Sequence, residues 1–413
     1  MIPLAGARVL IWGWGRHGGG AAAARHCAAQ GARVEVLDRA DAAALGADFS
    51  GRWHVGDATH PVFAAADLVV ASPAIPPRAW PAHHPPRTSP EGLFFAAHRG
   101  PLVAVTGTKG KSTTVRILST LLGWQAAGNS YEPLLDVLER HGPTVPIVAE
   151  LSSFQLWYLA SQPPRILLAV LTSLAVDHLD WHPDVAHYRA AKLALLDWAE
   201  QRLGHAGDAP GLTCSIRCSD GGFERDGEVL ATRDDLPLPG AHNARNAALA
   251  IAAALAIGMD PAQVAPRMRQ VVGLPHRLAT VHTRNGITFV DDSIATTPEA
   301  AMCALAAIPG PLAVLLGGSD KGADFAALAQ AVANRGAHPV LIGNTAPRLA
   351  AALDMVGVRW SRHGDLVAAV AAARSLLPHG GTVLLSPACA SFDWFQGFED
   401  RGRRFAQAAR DAG

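Results

Sequence analysis

Residues 102–113 read Leu-Val-Ala-Val-Thr-Gly-Thr-Lys-Gly-Lys-Ser-Thr, an apolar strand running into a glycine-lysine-hydroxyl loop. Val115, Leu118 and Leu122 then share one face, so the loop opens a helix whose N-terminus favours anions. In such a loop the backbone N–H groups meet phosphate oxygens, the lysine reaches the terminal phosphates and the hydroxyl can ligate Mg²⁺. The segment therefore predicts a nucleoside triphosphate site at a strand end, within a sheet covered by helices. The common form of the loop has a glycine where this chain has Val105, and here the glycine is Gly107. That spacing argues against GTPase switches and kinases and for a narrower group of ATP users.

The rest of the chain repeats the alternation of apolar strand and helix. Strand-like runs begin at Arg8-Val-Leu-Ile-Trp, Arg33-Val-Glu-Val-Leu, Leu68-Val-Val-Ala, Ile147-Val-Ala, Ile166-Leu-Leu-Ala-Val-Leu, Leu312-Ala-Val-Leu-Leu, Pro339-Val-Leu-Ile and Thr382-Val-Leu-Leu. A long helical stretch is predicted from Ala244 to Ile257. This predicts α/β architecture with mainly parallel sheets flanked by helices, and ligands at the carboxyl ends of strands. A chain of 413 residues exceeds one typical domain. Three are expected, at 1–92, 93–273 and 274–413.

Composition excludes several function classes. Lys plus Arg and Asp plus Glu number 35 each, with no basic patch, so nucleic acid is not the expected partner. No run of 18 apolar residues exists, and Met1-Ile-Pro-Leu leads directly into a strand, so neither membrane insertion nor a signal peptide is expected. The five cysteines are scattered, which suits reduced thiols and a cytoplasmic setting.

Other strand ends carry polar residues. Gly13-Trp-Gly15-Arg-His-Gly18 follows the first strand and Asp38 ends the second, as in a dinucleotide fingerprint. An NAD-dependent oxidoreductase is one alternative reading; a nucleotide sugar suits the same geometry. Glu150 ends a strand and is placed to hold Mg²⁺ beside the phosphate loop. His178, in Asp177-His178-Leu-Asp180-Trp-His182, is a candidate for a second divalent ion. Asn243 and Asn246 share a face at a helix start, fit for base recognition or capping. Asp291-Asp292, Gly317-Gly-Ser-Asp-Lys321 and Ser386-Pro-Ala-Cys-Ala-Ser391 each follow a strand and suit one crevice for a small carboxylated substrate.

In order along the chain, Thr106-Gly-Thr-Lys-Gly-Lys-Ser-Thr113, Glu150-Leu-Ser-Ser-Phe-Gln-Leu156, Tyr188-Arg-Ala-Ala-Lys192, His242-Asn-Ala-Arg-Asn246, Gly273-Leu-Pro-His-Arg277 and Phe398-Glu-Asp-Arg-Gly402 resemble the motifs of the Mur ligase family. The resemblance implies an ATP-dependent ligase of peptidoglycan precursor synthesis that adds D-glutamate to UDP-N-acetylmuramoyl-L-alanine (UDP-MurNAc-L-Ala) through an acyl phosphate. An L-glutamate-adding variant is the alternative within the family. It implies ATP contacts at Gly107, Thr108, Lys109, Gly110, Lys111, Ser112, Thr113, Asn246, Arg277 and Asp292. Ser112 and Glu150 would hold one Mg²⁺, and His178 with a carbamylated Lys192 a second. Catalysis would fall to Lys111, Glu150, His178 and Lys192. Arg16, His17, Asp38, Arg39, Ser72 and Asn129 would bind the UDP-sugar, and Thr296, Lys321, Ser391 and Phe398 the glutamate. A monomer is expected, whose domains close to exclude water. The chain departs from the family's habits at Ile294, where lysine is common, and at Ser130-Tyr131, where Ile-Gly is usual.

Overall fold

The computed structural model describes residues 2–15 and 18–411. The chain divides into two compact units, Met1–Asp235 with Arg245–Val271, and Leu236–Ala244 with Val272–Gly413.

The first unit contains two parallel sheets. One has the order β3-β2-β1-β4-β5, with β1 Arg8–Trp12, β2 Arg33–Asp38, β3 Arg52–Val55, β4 Leu68–Ala71 and β5 Arg87–Thr88. The other has the order β10-β9-β6-β8-β7, with β6 Leu102–Thr106, β7 Gln125–Gly128, β8 Ile147–Glu150, β9 Ile166–Leu171 and β10 Ala199–Gly204. The central strand β6 is buried along its whole length, as expected of a strand covered by helices on both faces. The two sheets share their cores. One cluster joins Val9 and Ile11 to Leu102, Ala104 and Leu171. Another packs Leu10, Trp12 and Phe63 with Tyr158 and Trp181.

A small antiparallel sheet, β11 Arg217–Ser219, β12 Gly222–Arg225 and β13 Glu228–Ala231, was not among the predicted elements. Its signal was present. Asp226-Gly227 joins two strands with φ of 54° and 87°, the positive-φ pair that tight hairpins use.

The second unit has one six-stranded sheet of order β14-β15-β19-β16-β17-β18. Its strands are β14 Ala279–Arg284, β15 Ile287–Asp291, β16 Leu312–Leu316, β17 His338–Leu341, β18 Ser361–Arg362 and β19 Gly381–Leu385. Only the edge hairpin β14–β15 is antiparallel. Because β15, β19 and β16 are neighbours and parallel, their carboxyl ends open on one edge. The loops at Asp292, Ser386 and Gly317 are therefore adjacent. The predicted helix over 244–257 runs from Ala241 to Ala256.

Candidate active site

The phosphate loop leaves β6 between β9 and β8, and the chain after β9 braces it. Thr172 Oγ1 donates to Lys109 O at 2.5 Å, Lys109 N donates to Ser173 Oγ at 2.9 Å, and Thr108 Oγ1 lies 2.8 Å from Tyr188 OH. Gly110 caps the helix Lys111–Leu122 with φ of 88°, and a Cβ there would overlap Asn246 Oδ1. The loop and Asn246, two of the expected ATP contacts, thus meet. Gly110→Ala combines backbone strain of about 1–3 kcal/mol with that overlap. It is expected to weaken binding of a non-hydrolysable ATP analogue about ten-fold or more, measured by calorimetry.

Two lysines converge on one carbonyl of this loop. Lys111 Nζ donates to Gly107 O at 2.9 Å and Thr108 O at 3.2 Å, and Lys192 Nζ donates to Gly107 O at 2.8 Å. Lys192 is 2% exposed. Burial, then the charge of Lys111, lowers its pKa to about 6, against the opposing pull of Asp177 and Glu150. Its amine is thus neutral at neutral pH. Ser112 offers its carbonyl to Tyr131 OH at 2.6 Å, Thr113 is buried, and Lys109 is exposed, 3.6 Å from Asp177.

Glu150 is fully buried at the end of β8. Its Oε1 accepts from Asn129 Nδ2 and Ser130 Oγ, both at 2.9 Å, and its Oε2 has no partner among the described residues. An orphaned buried carboxylate oxygen beside a phosphate loop fits a divalent cation. His178 has φ of 55°, a conformation that costs a non-glycine residue energy and often marks function. Burial, then Lys111 and Lys192, lower its pKa against the pull of Asp177, leaving a neutral imidazole suited to metal ligation. Among the described residues no group of three or more His, Cys, Asp or Glu forms a metal cage. Mg²⁺ commonly takes only one or two carboxylates, with substrate phosphates and water completing its shell.

Four of the residues expected to hold the nucleotide sugar, Asp38, Arg39, Ser72 and Asn129, line two cavities of the first unit. One, of ≈ 390 Å³, is bordered by Trp14, Ser72, Asn129 and Phe154. The other, of ≈ 260 Å³, is bordered by Asp38, Arg39, Asp57 and Ser72. Asp38 is already engaged, accepting from Trp14 N at 2.8 Å and Ala40 N at 3.0 Å. Arg16 and His17 lie outside the described residues.

In the second unit Asp292 is buried and accepts from Ser386 Oγ at 2.8 Å and Leu278 N at 3.2 Å. Burial pushes its pKa up to about 7 despite those donors and Arg277. The Nε of Arg277 has no partner among the described residues. Thr296 is half-buried, Ser391 buried and Lys321 exposed. Phe398 meets His276 edge-on, with ring centroids 6.1 Å apart. Ile294 donates its amide to His276 O at 3.1 Å, a backbone contact that does not depend on its side chain. Asn243 donates to Pro239 O at 2.7 Å, bracing the approach to its own helix.

Sequence reasoning missed Arg401. It is fully buried and donates to Ser293 Oγ (2.9 Å), Ser293 O (2.9 Å), Cys389 O (3.1 Å) and Ala390 O (3.3 Å). It thereby ties the loop after β15 to the loop after β19, and Ser319 N, after β16, donates to Ala390 O at 2.8 Å. The only signal was its place in Phe398-Glu-Asp-Arg-Gly402. His182 was also passed over. It is buried between Ser153 Oγ (3.0 Å) and His187 Nδ1 (2.7 Å), and burial, then His187, lowers its pKa to about 4.

Residues 276–389 match the glutamate ligase domain of the Mur ligases. The UDP-N-acetylmuramoylalanine–D-glutamate ligase of Roseiflexus sp. (strain RS-1) is 35% identical, covering 98% of both chains. The UDP-N-acetylmuramoyl-L-alanine–L-glutamate ligase of Salinispora tropica is 36% identical, covering 100% of this chain and 99% of that one. Among solved structures, the UDP-N-acetylmuramate–alanine ligase of Thermotoga maritima shares the fold with a TM-score of 0.64 at 18% identity, covering 98% of this chain and 100% of that one. At such identity over almost the full length of both chains, this protein belongs to the Mur ligase family of ATP-dependent amide-forming ligases.

Proposed function

We propose that this enzyme joins D-glutamate to UDP-MurNAc-L-Ala. The carrying observation is the convergence of Lys111 and Lys192 on Gly107 O of the ATP loop. One lysine belongs to the phosphate loop and would reach phosphate. The other is buried with a neutral amine, the state that carbamylation by CO₂ requires. Residues 1–92 would hold the UDP-sugar, 93–273 ATP, and 274–413 glutamate.

An oxygen of the alanyl carboxylate attacks the γ-phosphorus, the bond to the bridging oxygen breaks, and ADP leaves. Lys111 and the loop amides offset the charge spread over the transferring phosphoryl group. The glutamate amine then attacks the acyl carbon, phosphate departs, and the nitrogen loses a proton. Mg²⁺, when bound, neutralises phosphate charge. Ser112 and Glu150 would hold one ion, and His178 with carbamylated Lys192 a second. Asn246, Arg277 and Asp292 would contact ATP. Asp38, Arg39, Ser72 and Asn129, with Arg16 and His17, would hold the UDP-sugar, and Thr296, Lys321, Ser391 and Phe398 the incoming amino acid. The expected setting is the cytoplasm, with the enzyme acting as a monomer. Among the described residues no helix is long and apolar enough to cross a membrane.

The L-glutamate reading draws on the Salinispora relative, whose identity matches that of the D-glutamate relatives. The run Ser386–Asp393 favours the D isomer by resemblance. Phosphate release from ATP, UDP-MurNAc-L-Ala and Mg²⁺ should appear with D-glutamate. Release with L-glutamate alone would overturn the stereochemical assignment, and release with neither would overturn the ligase reading.

A further inference from the structure

The turn Gly128–Glu132 sits at the carboxyl end of β7, and Gly128 lies opposite Glu150 in the parallel ladder with β8. Gly128 has φ of 103°, and a Cβ there would overlap Glu150 O. The backbone can therefore lie against the glutamate, and Asn129 N donates to Glu150 O at 3.0 Å. Tyr131 N closes the turn onto Gly128 O at 2.8 Å.

Three successive side chains of this turn then reach residues assigned to Mg²⁺. Asn129 Nδ2 donates to Glu150 Oε1 at 2.9 Å and to Ser130 Oγ at 3.2 Å. Ser130 Oγ passes the chain on, donating to the same Oε1 at 2.9 Å. Tyr131 OH donates to Ser112 O at 2.6 Å, and its ring centroid lies 5.5 Å from the Arg116 guanidinium. With two donors on Oε1, the oxygen left for a cation is Oε2, which is buried and unpartnered. Ser130-Tyr131 is the pair that replaces the family's usual Ile-Gly, and Ile-Gly has no hydroxyl for either contact.

We propose that Ser130 and Tyr131 are positioning residues for the Mg²⁺ ligands. Ser130 fixes Glu150 as a ligand through one oxygen, and Tyr131 fixes the backbone of Ser112 in the first turn of the phosphate-loop helix. This rests on the assignment of Mg²⁺ to Ser112 and Glu150. Partners that orient a metal ligand typically contribute about 10–100-fold to metal affinity or activity. A side chain that merely completes a turn changes fold stability and leaves metal affinity alone.

The test uses the full chain with a non-hydrolysable ATP analogue and Mn²⁺ as probe, with free Mn²⁺ counted by electron paramagnetic resonance. Ser130→Ala is expected to weaken Mn²⁺ binding about ten-fold. Ser130→Thr, which keeps the hydroxyl, should stay within about two-fold of the parent, and Tyr131→Phe should weaken binding by a smaller factor than Ser130→Ala. Near-ultraviolet circular dichroism checks that each variant is folded; Ser130 is exposed, so little packing is disturbed. Unchanged Mn²⁺ affinity in Ser130→Ala, or equal losses in Ser130→Ala and Ser130→Thr, would overturn the positioning role while leaving the ligase reading intact. A parent enzyme that binds no Mn²⁺ with the nucleotide analogue would instead overturn the metal assignment itself, and the inference with it.

Discussion

Lys192→Ala is expected to lower kcat by about 10²–10³-fold, the scale on which removal of one preorganised electrostatic group acts. Short carboxylic acids should restore part of the rate, because a carboxylate in the vacated space would replace the oxygens of the proposed carbamate. An unchanged rate would discard the assignment; ¹³C-labelled bicarbonate should give a carbamate signal in the parent that Lys192→Ala lacks. The same residue makes a stability prediction of opposite sign. Its folded pKa of about 6 lies below the ordinary 10.5. Between those values the unfolded chain binds a proton that the folded chain does not, so the contribution of Lys192 to stability rises with pH. Below about pH 6 the full desolvation penalty is present, and above 10.5 it has gone. Lys192→Met, unfolded without nucleotide or bicarbonate, should therefore be more stable than the parent at neutral pH. That gain should shrink as pH climbs toward 10.5. A residue whose removal stabilises the fold yet slows turnover is held there by chemistry.

Arg401→Met is expected to cost about 3–5 kcal/mol in urea unfolding, and to raise the KM for glutamate in whatever fraction folds. The guanidinium serves Ser293 Oγ and three carbonyl oxygens in a fully buried place. Each buried acceptor left without a donor costs about 1–3 kcal/mol, and local relaxation recovers part of the sum. Burial lowers the Arg401 pKa to about 10, so it remains charged at neutral pH. Arg401→Lys should not rescue the loss, since an ammonium has fewer donors and cannot span the fork of contacts. A stability loss under 1 kcal/mol would show that the two loops hold together without it.

The parallel sheets were legible because their inner strands are continuous apolar runs. Val103-Ala-Val105 and Leu312-Ala-Val-Leu-Leu leave no other reading once turn residues bound them. The edge strands β3 and β10 carry polar residues on exposed faces and have no such pattern. At the candidate site, Gly107, Lys111 and Glu150 stood out in the sequence because phosphate and metal chemistry narrows the residue types at a strand end. Lys192 lay beyond pattern alone: a helical lysine is ordinarily solvated, and only the fold buries it against Gly107 O. Arg401 was invisible for the converse reason, since its partners are backbone carbonyls that any sequence supplies.

The shared core beneath the first two sheets bears on how such enzymes diversify. Trp181 Nε1 donates to Ala74 O at 3.2 Å, Tyr158 OH to Ile75 O at 2.9 Å, and Trp80 Nε1 to Tyr158 OH at 3.0 Å. The Arg87 guanidinium lies over both Trp80 and Trp157. Residues 1–92 and the segment that carries the phosphate loop are thus interlocked through indole and phenol groups, although each has its own sheet. Recombination that exchanged the first 92 residues for those of a distant relative would strand those groups against foreign partners. Point substitution around the two cavities leaves that seam intact, while wholesale exchange of residues 1–92 would break it.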